Sequence, residues 1–247
     1  MIKETFTTGT FYNADCFDAM RDIPSGSIDM VLCDLPYGTT QNKWDSVLPL
    51  DRLWVEYWRV CKPNAAVVLT AAQPFTSALV MSQISSFKYD WTWRKNRATN
   101  VFNAKKQPLR DKEDILVFCR KSPPYNPQGL IYAPELARNG NKESLNWGEG
   151  KTKIYRRSHI NYPKQVLEFD SVQRVTHPTE KPISLFEYLI RTYTDEGMTV
   201  LDNTAGSGTT AAAAEACGRR WICIEKDPTY FEKAVTRLSP NFAGAFA

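Results

Sequence analysis

Two kinds of apolar run alternate along this chain. "GSIDMVLCD", residues 26–34, is almost continuously apolar and ends on an acid, which predicts a strand buried on both faces. "AAVVLTA" (65–71) and "DILVFCR" (114–120) predict two more. "DRLWVEYWRVC" (51–61) instead places Leu53, Trp54, Tyr57, Trp58 and Cys61 on one helical stripe, closed by Lys62, Pro63 and Asn64. Toward the C-terminus, "MTVLD" predicts a strand, "NTAGSG" a glycine turn, and "TTAAAAEACG" a helix stopped by Gly218. "RWICIE" is a further strand. Asp227 and Pro228 then open a helix as N-cap and first residue, with Tyr230, Phe231, Ala234, Val235 and Leu238 facing inward. Strands alternating with helices predict an α/β fold, a mostly parallel sheet with helices on both faces.

Residues 122–175 break the pattern. They are rich in Pro, Gly and Asn with no sustained period, and read as a loop-rich insert within a single domain, 1–247. The 43% hydrophobic and 23% charged content is that of a globular chain. No apolar run reaches the roughly 18 residues of a membrane span, and the N-terminus lacks a signal peptide's apolar core. Six cysteines stand singly, without a C-x-x-C pair, which favours reduced thiols over disulfides or zinc and a cytoplasmic setting. No metal site is expected.

Charge changes the picture more than composition does. Residues 91–121 carry nine Lys or Arg, among them Arg94, Lys95, Arg97, Lys105 and Lys106, against three acids. Residues 151–164 carry five, including Arg156 and Arg157, and no acid. Interleaved with Trp91, Trp93, Tyr155 and Tyr162, these suit a polyanion with stackable bases; a solvated charged face is the plain alternative.

Two motifs carry chemistry. In "VLDNTAGSGTTAAAAEACGRRWICIEKD" (200–227), Gly206 and Gly208 allow a tight turn between strand and helix, and Glu225 ends the next strand. Glycines let backbone approach a ligand, and the later acid can bind both ribose hydroxyls, as in a dinucleotide or an adenosyl cofactor. In "DLPYG" (34–38), Asp34, a backbone carbonyl of Leu35 or Pro36, and Tyr37 arrive at one point. A base amine is a poor nucleophile because its lone pair is delocalised into the ring. A carboxylate and a carbonyl accepting its two hydrogens, with an aromatic clamp on the flipped base, would orient it for methyl transfer. Turn chemistry alone would also account for Asp, Pro, Tyr and Gly together.

With these motifs the chain resembles the S-adenosylmethionine-dependent amino-methyltransferases of DNA, the β-group with permuted motif order. "DLPYG" matches the family's D-P-P-Y, "LDNTAGSGTT" (201–210) its cofactor loop, and "HPTEKP" (177–182) the H-P-T-Q-K-P upstream of that loop. The resemblance runs from about Phe11 to Leu238. It implies a Rossmann-like class I methyltransferase fold, circularly permuted in motif order, with the 122–175 insert as target recognition region. It implies catalytic Asp34, Leu35, Pro36 and Tyr37. For S-adenosyl-L-methionine it implies Asp202, Thr204, Ala205, Gly206, Ser207 and Gly208 at the methionine part, Glu225 at the ribose, and Asp15 and Cys16 at the adenine ring. Thr179 and Lys181 would lie near the cofactor's carboxylate, and Asp34 borders cofactor and base alike. Arg94, Lys95, Arg97, Lys105, Lys106, Arg156 and Arg157 are the expected contacts to double-stranded DNA.

Leu35 replaces the family's first proline, Asn203 and Thr204 replace Pro-Phe, and Glu180 replaces Gln; none removes a reacting group. The expected reaction is transfer to adenine N6. N4 of cytosine is the alternative, and an NAD-dependent oxidoreductase or a non-catalytic DNA-binding module are more distant ones. The resemblance also leaves room for a homodimer and for a cognate restriction endonuclease.

Overall fold

The computed structural model describes residues 1–38, 45–138, 154–172 and 180–239. They form two compact units, one of Met1–Asn126 with Gln165–Ala247, the other of Pro127–Lys164. The elements follow in the order β1 (Ile2–Thr5), β2 (Gly9–Asn13), α1 (Cys16–Met20), β3 (Ile28–Asp34), α2 (Leu50–Val60) and β4 (Cys61–Ala71). Next come α3 (Phe75–Ser82), β5 (Phe87–Thr99), β6 (Arg110–Phe118), β7 (Ile131–Arg138), β8 (Ile154–Ile160) and β9 (Val166–Glu168). The chain closes with α4 (Ile183–Tyr193), β10 (Thr199–Asp202), α5 (Thr209–Ala216), β11 (Arg220–Glu225) and α6 (Pro228–Leu238).

The larger unit is a nine-stranded sheet in the order β1-β2-β11-β10-β3-β4-β6-β5-β9. The strands from β2 to β4 are mutually parallel, whereas β6 is antiparallel to both β4 and β5. β3 explains the centre: Met30 and Leu32 enter one core while Val31 and Cys33 enter the other. A strand with both faces covered reads as a continuous apolar run because neither face meets water. One core takes Leu185, Phe186 and Leu189 of α4 with Ala211 and Ala214 of α5; the other takes Leu53 and Tyr57 of α2. Asp227 caps α6 by accepting from the amides of Thr229 and Tyr230. All six cysteines are free and buried. Among the described residues, no helix is long and apolar enough to cross a membrane.

β5 escaped the sequence pattern because "FKYDWTWRKNRAT" is studded with charge on its outer face. Its inner face buries Trp91 and Trp93, whose indoles donate to the Tyr193 hydroxyl at 2.7 Å and the Phe169 carbonyl at 2.8 Å. These two rings are therefore core and not stacking platforms for bases. The smaller unit is not all loop either: β7 and β8 pair antiparallel, with a register shift between Tyr132 and Glu135 that accommodates Pro134. β9, inside the region expected to be insert, joins the large sheet beside β5.

Candidate active site

β10 and β3 are neighbours in the sheet, and the chain leaves them toward opposite flanks. A crevice opens at the carboxyl ends of strands at such a switch point. Asp34 ends β3 and Asp202 ends β10, so both motifs arrive at that crevice, a cleft of about 870 Å³.

Asp34 faces Thr70 across the β3–β4 ladder, and the Thr70 hydroxyl donates to Asp34 Oδ1. The Tyr37 hydroxyl donates to the same oxygen at 2.7 Å, and its ring stacks on Phe75 with centroids 5.4 Å apart. Gly38 turns the chain at φ 68°, donating its amide to Asp45 Oδ1 at 2.8 Å. The other oxygen of Asp34 is held by Lys181 Nζ at 2.6 Å, and Nζ lies 3.2 Å from Glu113 Oε2. Glu113 in turn pairs with Lys95. Burial alone would push the Lys181 ammonium down, but Asp34 and Glu113 outweigh it and hold it above the ordinary lysine value. Burial would likewise raise Glu113, yet Lys181 and Lys95 together lower it. Four alternating charges thus form one largely buried chain that ends on Asp34 and is centred on Lys181. Tyr37, buried beside Asp34, has its hydroxyl pushed well above the usual tyrosine range and serves as a donor.

On the other side of the cleft, Thr204 Oγ1 donates to the Asp34 carbonyl at 3.1 Å, tying the glycine turn to the catalytic motif. Gly206, at φ 51°, donates its amide to Glu225 Oε2 at 2.8 Å, and Glu225 Oε1 accepts from Asp227 at 2.7 Å. Asp15 caps α1 by accepting from Phe17, and Cys16 follows it into the cleft wall, its thiol pushed up to about 11 by burial. Asn203 Oδ1 accepts from the Tyr57 hydroxyl at 2.6 Å and from Cys33 Sγ at 3.0 Å.

Asp15, Cys16, Asp34, Leu35, Pro36, Tyr37, Lys181, Thr204, Gly206 and Glu225 line this cleft. Asp202, Ala205, Ser207 and Gly208 stand behind it. Asp202 braces the turn by accepting from Thr204 N at 3.0 Å and from Thr210, and burial raises its carboxyl to about 7. Gly208, at φ 78°, faces α6, where an added Cβ would lie 3.2 Å from Ala234. Ser207 accepts from Arg237, which also pairs with Glu180 at 2.8 Å and so gives that departure from the family pattern a partner. Lys181, expected near the cofactor's carboxylate, lines the cleft and bonds to Asp34 and Glu113 there. Thr179 and His177 lie outside the described residues, as do the side chains of Arg156 and Arg157. Lys95 is spent on Glu113 and Arg94 pairs with Glu168 at 2.9 Å, while Arg97, Lys105 and Lys106 are exposed. Thr70 and Glu113 were missed because only cross-strand register brings them here, and Tyr57 because only the packing of α2 on the sheet does; Asn203 was read only as a departure from the family motif.

Among the described residues, Ser171 Oγ and Asn203 Nδ2 are buried without a hydrogen-bond partner, while Glu113 Oε2 has only its ion pair with Lys181 at 3.2 Å. All three residues line the cleft. A buried donor without an acceptor is costly, so Ser171 Oγ and Asn203 Nδ2 at one cavity mark where a ligand completes the structure. An adenosyl cofactor fits these groups: it offers ring and ribose acceptors to Asn203 Nδ2, and ribose hydroxyls to the remaining lone pairs of Glu225.

Fold and cleft define a class I methyltransferase architecture with Asp34 in the cleft wall. The chain belongs to the DNA methylase family of N6- and N4-directed enzymes, which it matches over residues 28–236. It is 27% identical to the DNA adenine methyltransferase YhdJ of Escherichia coli K12, covering 93% of this chain and 82% of that one. Two solved structures share its fold. The M1.HpyAVI–SAM complex superposes with a TM-score of 0.64 at 24% identity, covering 92% of this chain and 98% of that one. The PvuII cytosine-N4-specific DNA methyltransferase gives 0.69 at 18%, covering 96% and 88%. The dinucleotide reading of Gly206-x-Gly208 and the purely DNA-binding alternative give way to this family.

Proposed function

We propose that this protein transfers the methyl group of S-adenosylmethionine to N6 of adenine in double-stranded DNA, with the target base flipped into the cleft beside Asp34. The observation that carries this reading is the Thr204–Asp34 bond, which joins the glycine turn and the acceptor motif at one cleft. The cofactor would supply an electrophilic methyl on its sulfonium. Asp34 accepts one hydrogen of the amine through a lone pair left beside Tyr37, Thr70 and Lys181, and so helps localise the nitrogen lone pair out of conjugation with the ring and toward the methyl. Because the Asp34 carbonyl is already taken by Thr204, the second hydrogen goes to the carbonyl of Leu35 or Pro36. The proton lost after transfer has Asp34 as its nearest acceptor. Tyr37, backed by Phe75, presents its ring to the base. Arg97, Lys105 and Lys106, with Arg156 and Arg157, attract the phosphates.

The test is to incubate DNA with labelled cofactor, digest it to nucleosides and separate them by mass. N6-methyladenine is expected, and Asp34→Ala should lower turnover on the order of 10²-fold or more. N4-methylcytosine as sole product would replace the base assignment; no labelled nucleoside from any DNA would overturn the reading.

A further inference from the structure

The hairpin of β5 and β6 lines the cleft along its outer half, through Trp93, Lys95, Thr99, Arg110, Lys112 and Glu113. Followed outward, it ends in a short 3-10 turn at Val101–Asn103. Phe102 there is 100% exposed, Val101 60% and Leu109 39%. Single exposed apolar residues are ordinary on protein surfaces, but a phenylalanine held wholly in water on a built turn is not. The turn is built. Asn100 sits in the left-handed region at φ 68° and accepts from Asn103 Nδ2 at 2.6 Å. The amides of Asn103 and Ala104 bond back to Asn100 and Val101, and those of Lys106 and Gln107 to Asn103. This fixes the backbone that carries Val101 and Phe102 outward instead of folding them onto the sheet. Around them Arg97, Lys105, Lys106 and Arg110 are all exposed, against one acid, Asp111, between residues 97 and 111.

We propose that Val101 and Phe102 form an apolar wedge that enters the base stack of duplex DNA beside the target pair, while Arg97, Lys105, Lys106 and Arg110 hold the flanking phosphates. This rests on the methyl-transfer reading above. Flipping a base leaves a gap in the stack, and the unpaired neighbours lose stacking energy. An aromatic side chain entering the gap replaces that contact and holds the duplex open, and apolar wedges of this kind kink the helix they enter. The hairpin supplies both parts at one place: its outer half borders the pocket that would receive the flipped base, and its tip carries the filler. Charge complementarity with phosphate sets the occupant.

The wild-type recognition site is first read by single-molecule sequencing of modified plasmid. Phe102→Ala, Phe102→Trp and the wild type are then compared on a duplex with the normal target pair and on one with that pair mismatched. Phe102→Ala should lose about 10-fold or more in kcat/KM on the paired duplex and recover to within about 3-fold of wild type on the mismatched one, where opening is already favoured. Phe102→Trp should rescue. The fluorescence rise of 2-aminopurine placed at the target, seen with wild type, should be lost in Phe102→Ala, while S-adenosylmethionine affinity stays the same. Equal losses on both duplexes, or none on either, would overturn the wedge. So would a wild-type self-association, seen by sedimentation, that Phe102→Ala abolishes with no effect on flipping. A wild type that methylates no DNA would instead defeat the underlying reading.

Discussion

Replacing Lys181 by methionine tests the buried charge chain directly. The ammonium is 5% exposed and lies 2.6 Å from Asp34 and 3.2 Å from Glu113. Methionine fills most of the volume but leaves two carboxylates without their shared cation. Removing one partner of a buried pair costs about 3–5 kcal/mol. The lower end applies here, because Glu113 keeps Lys95 and Asp34 keeps the hydroxyls of Tyr37 and Thr70. A loss of about 3 kcal/mol is therefore expected in urea unfolding at pH 7. Its pH dependence follows from the two displaced groups. Glu113 is lowered in the fold, so its contribution is present above the ordinary value of 4.5 and lost as pH falls through the depressed one. Lys181 is raised, so its contribution is present below 10.5 and lost as pH rises through the raised value. The difference between wild type and variant should thus be full between these limits and narrow outside them. In turnover, Lys181→Met should lower kcat about 10-fold or more with S-adenosylmethionine affinity changed by less than about 3-fold, since Lys181 orients Asp34. A stability difference under about 1 kcal/mol, or one that does not vary below pH 4.5, would refute the charge-chain account. A variant whose S-adenosylmethionine affinity falls about 10-fold or more while kcat at saturating cofactor is kept would return Lys181 to the cofactor's carboxylate.

Three further outcomes separate the residues at the cleft from those behind it. Gly206→Val should abolish cofactor binding in calorimetry at the stability cost of its positive φ, whereas Gly208→Val adds the crowding of Ala234 to the same strain and should lower the melting temperature further; the reverse pattern would exchange their roles. Asn203→Asp keeps the acceptor for Tyr57 and Cys33 but removes the unpartnered donor, so cofactor affinity should fall about 10-fold, and an unchanged Kd would show that the donor faces no ligand. Asp202, raised from 3.8 to about 7 by burial, contributes stability below 3.8 that is lost as pH rises through 7, on the order of 4 kcal/mol. Asp202→Asn should flatten the stability curve between those values, and an identical slope in both proteins would remove Asp202 as its source.

Much of this was legible along the chain. β3, β4, β10, β11, α5 and α6 all fall where apolar runs, the glycine turn and the Asp227–Pro228 start predict them, because each signal is local. The same holds for Asp34 and the turn at 203–208, whose chemistry sits in consecutive residues. β5 was not legible: its charged outer face hides the period of its buried tryptophans, which then read as base-stacking rings. The 127–164 unit looked like loop because Pro134 breaks the strand pattern that the register shift restores.

The sequence by itself determined which strands are buried and which motifs they deliver, since burial on two faces demands an uninterrupted apolar run. It could not say what each charge meets. Lys181 lies 147 positions from Asp34, and Glu113 reaches them only because β6 runs antiparallel beside β4. A buried lysine keeps its charge only against an opposite charge, so the carboxylate that tertiary packing brought within 2.6 Å, not the motif spacing, decided its state. Likewise Gly206 and Gly208 are equal in the sequence, and only the position of α6 turns one toward the ligand cleft and the other into the core.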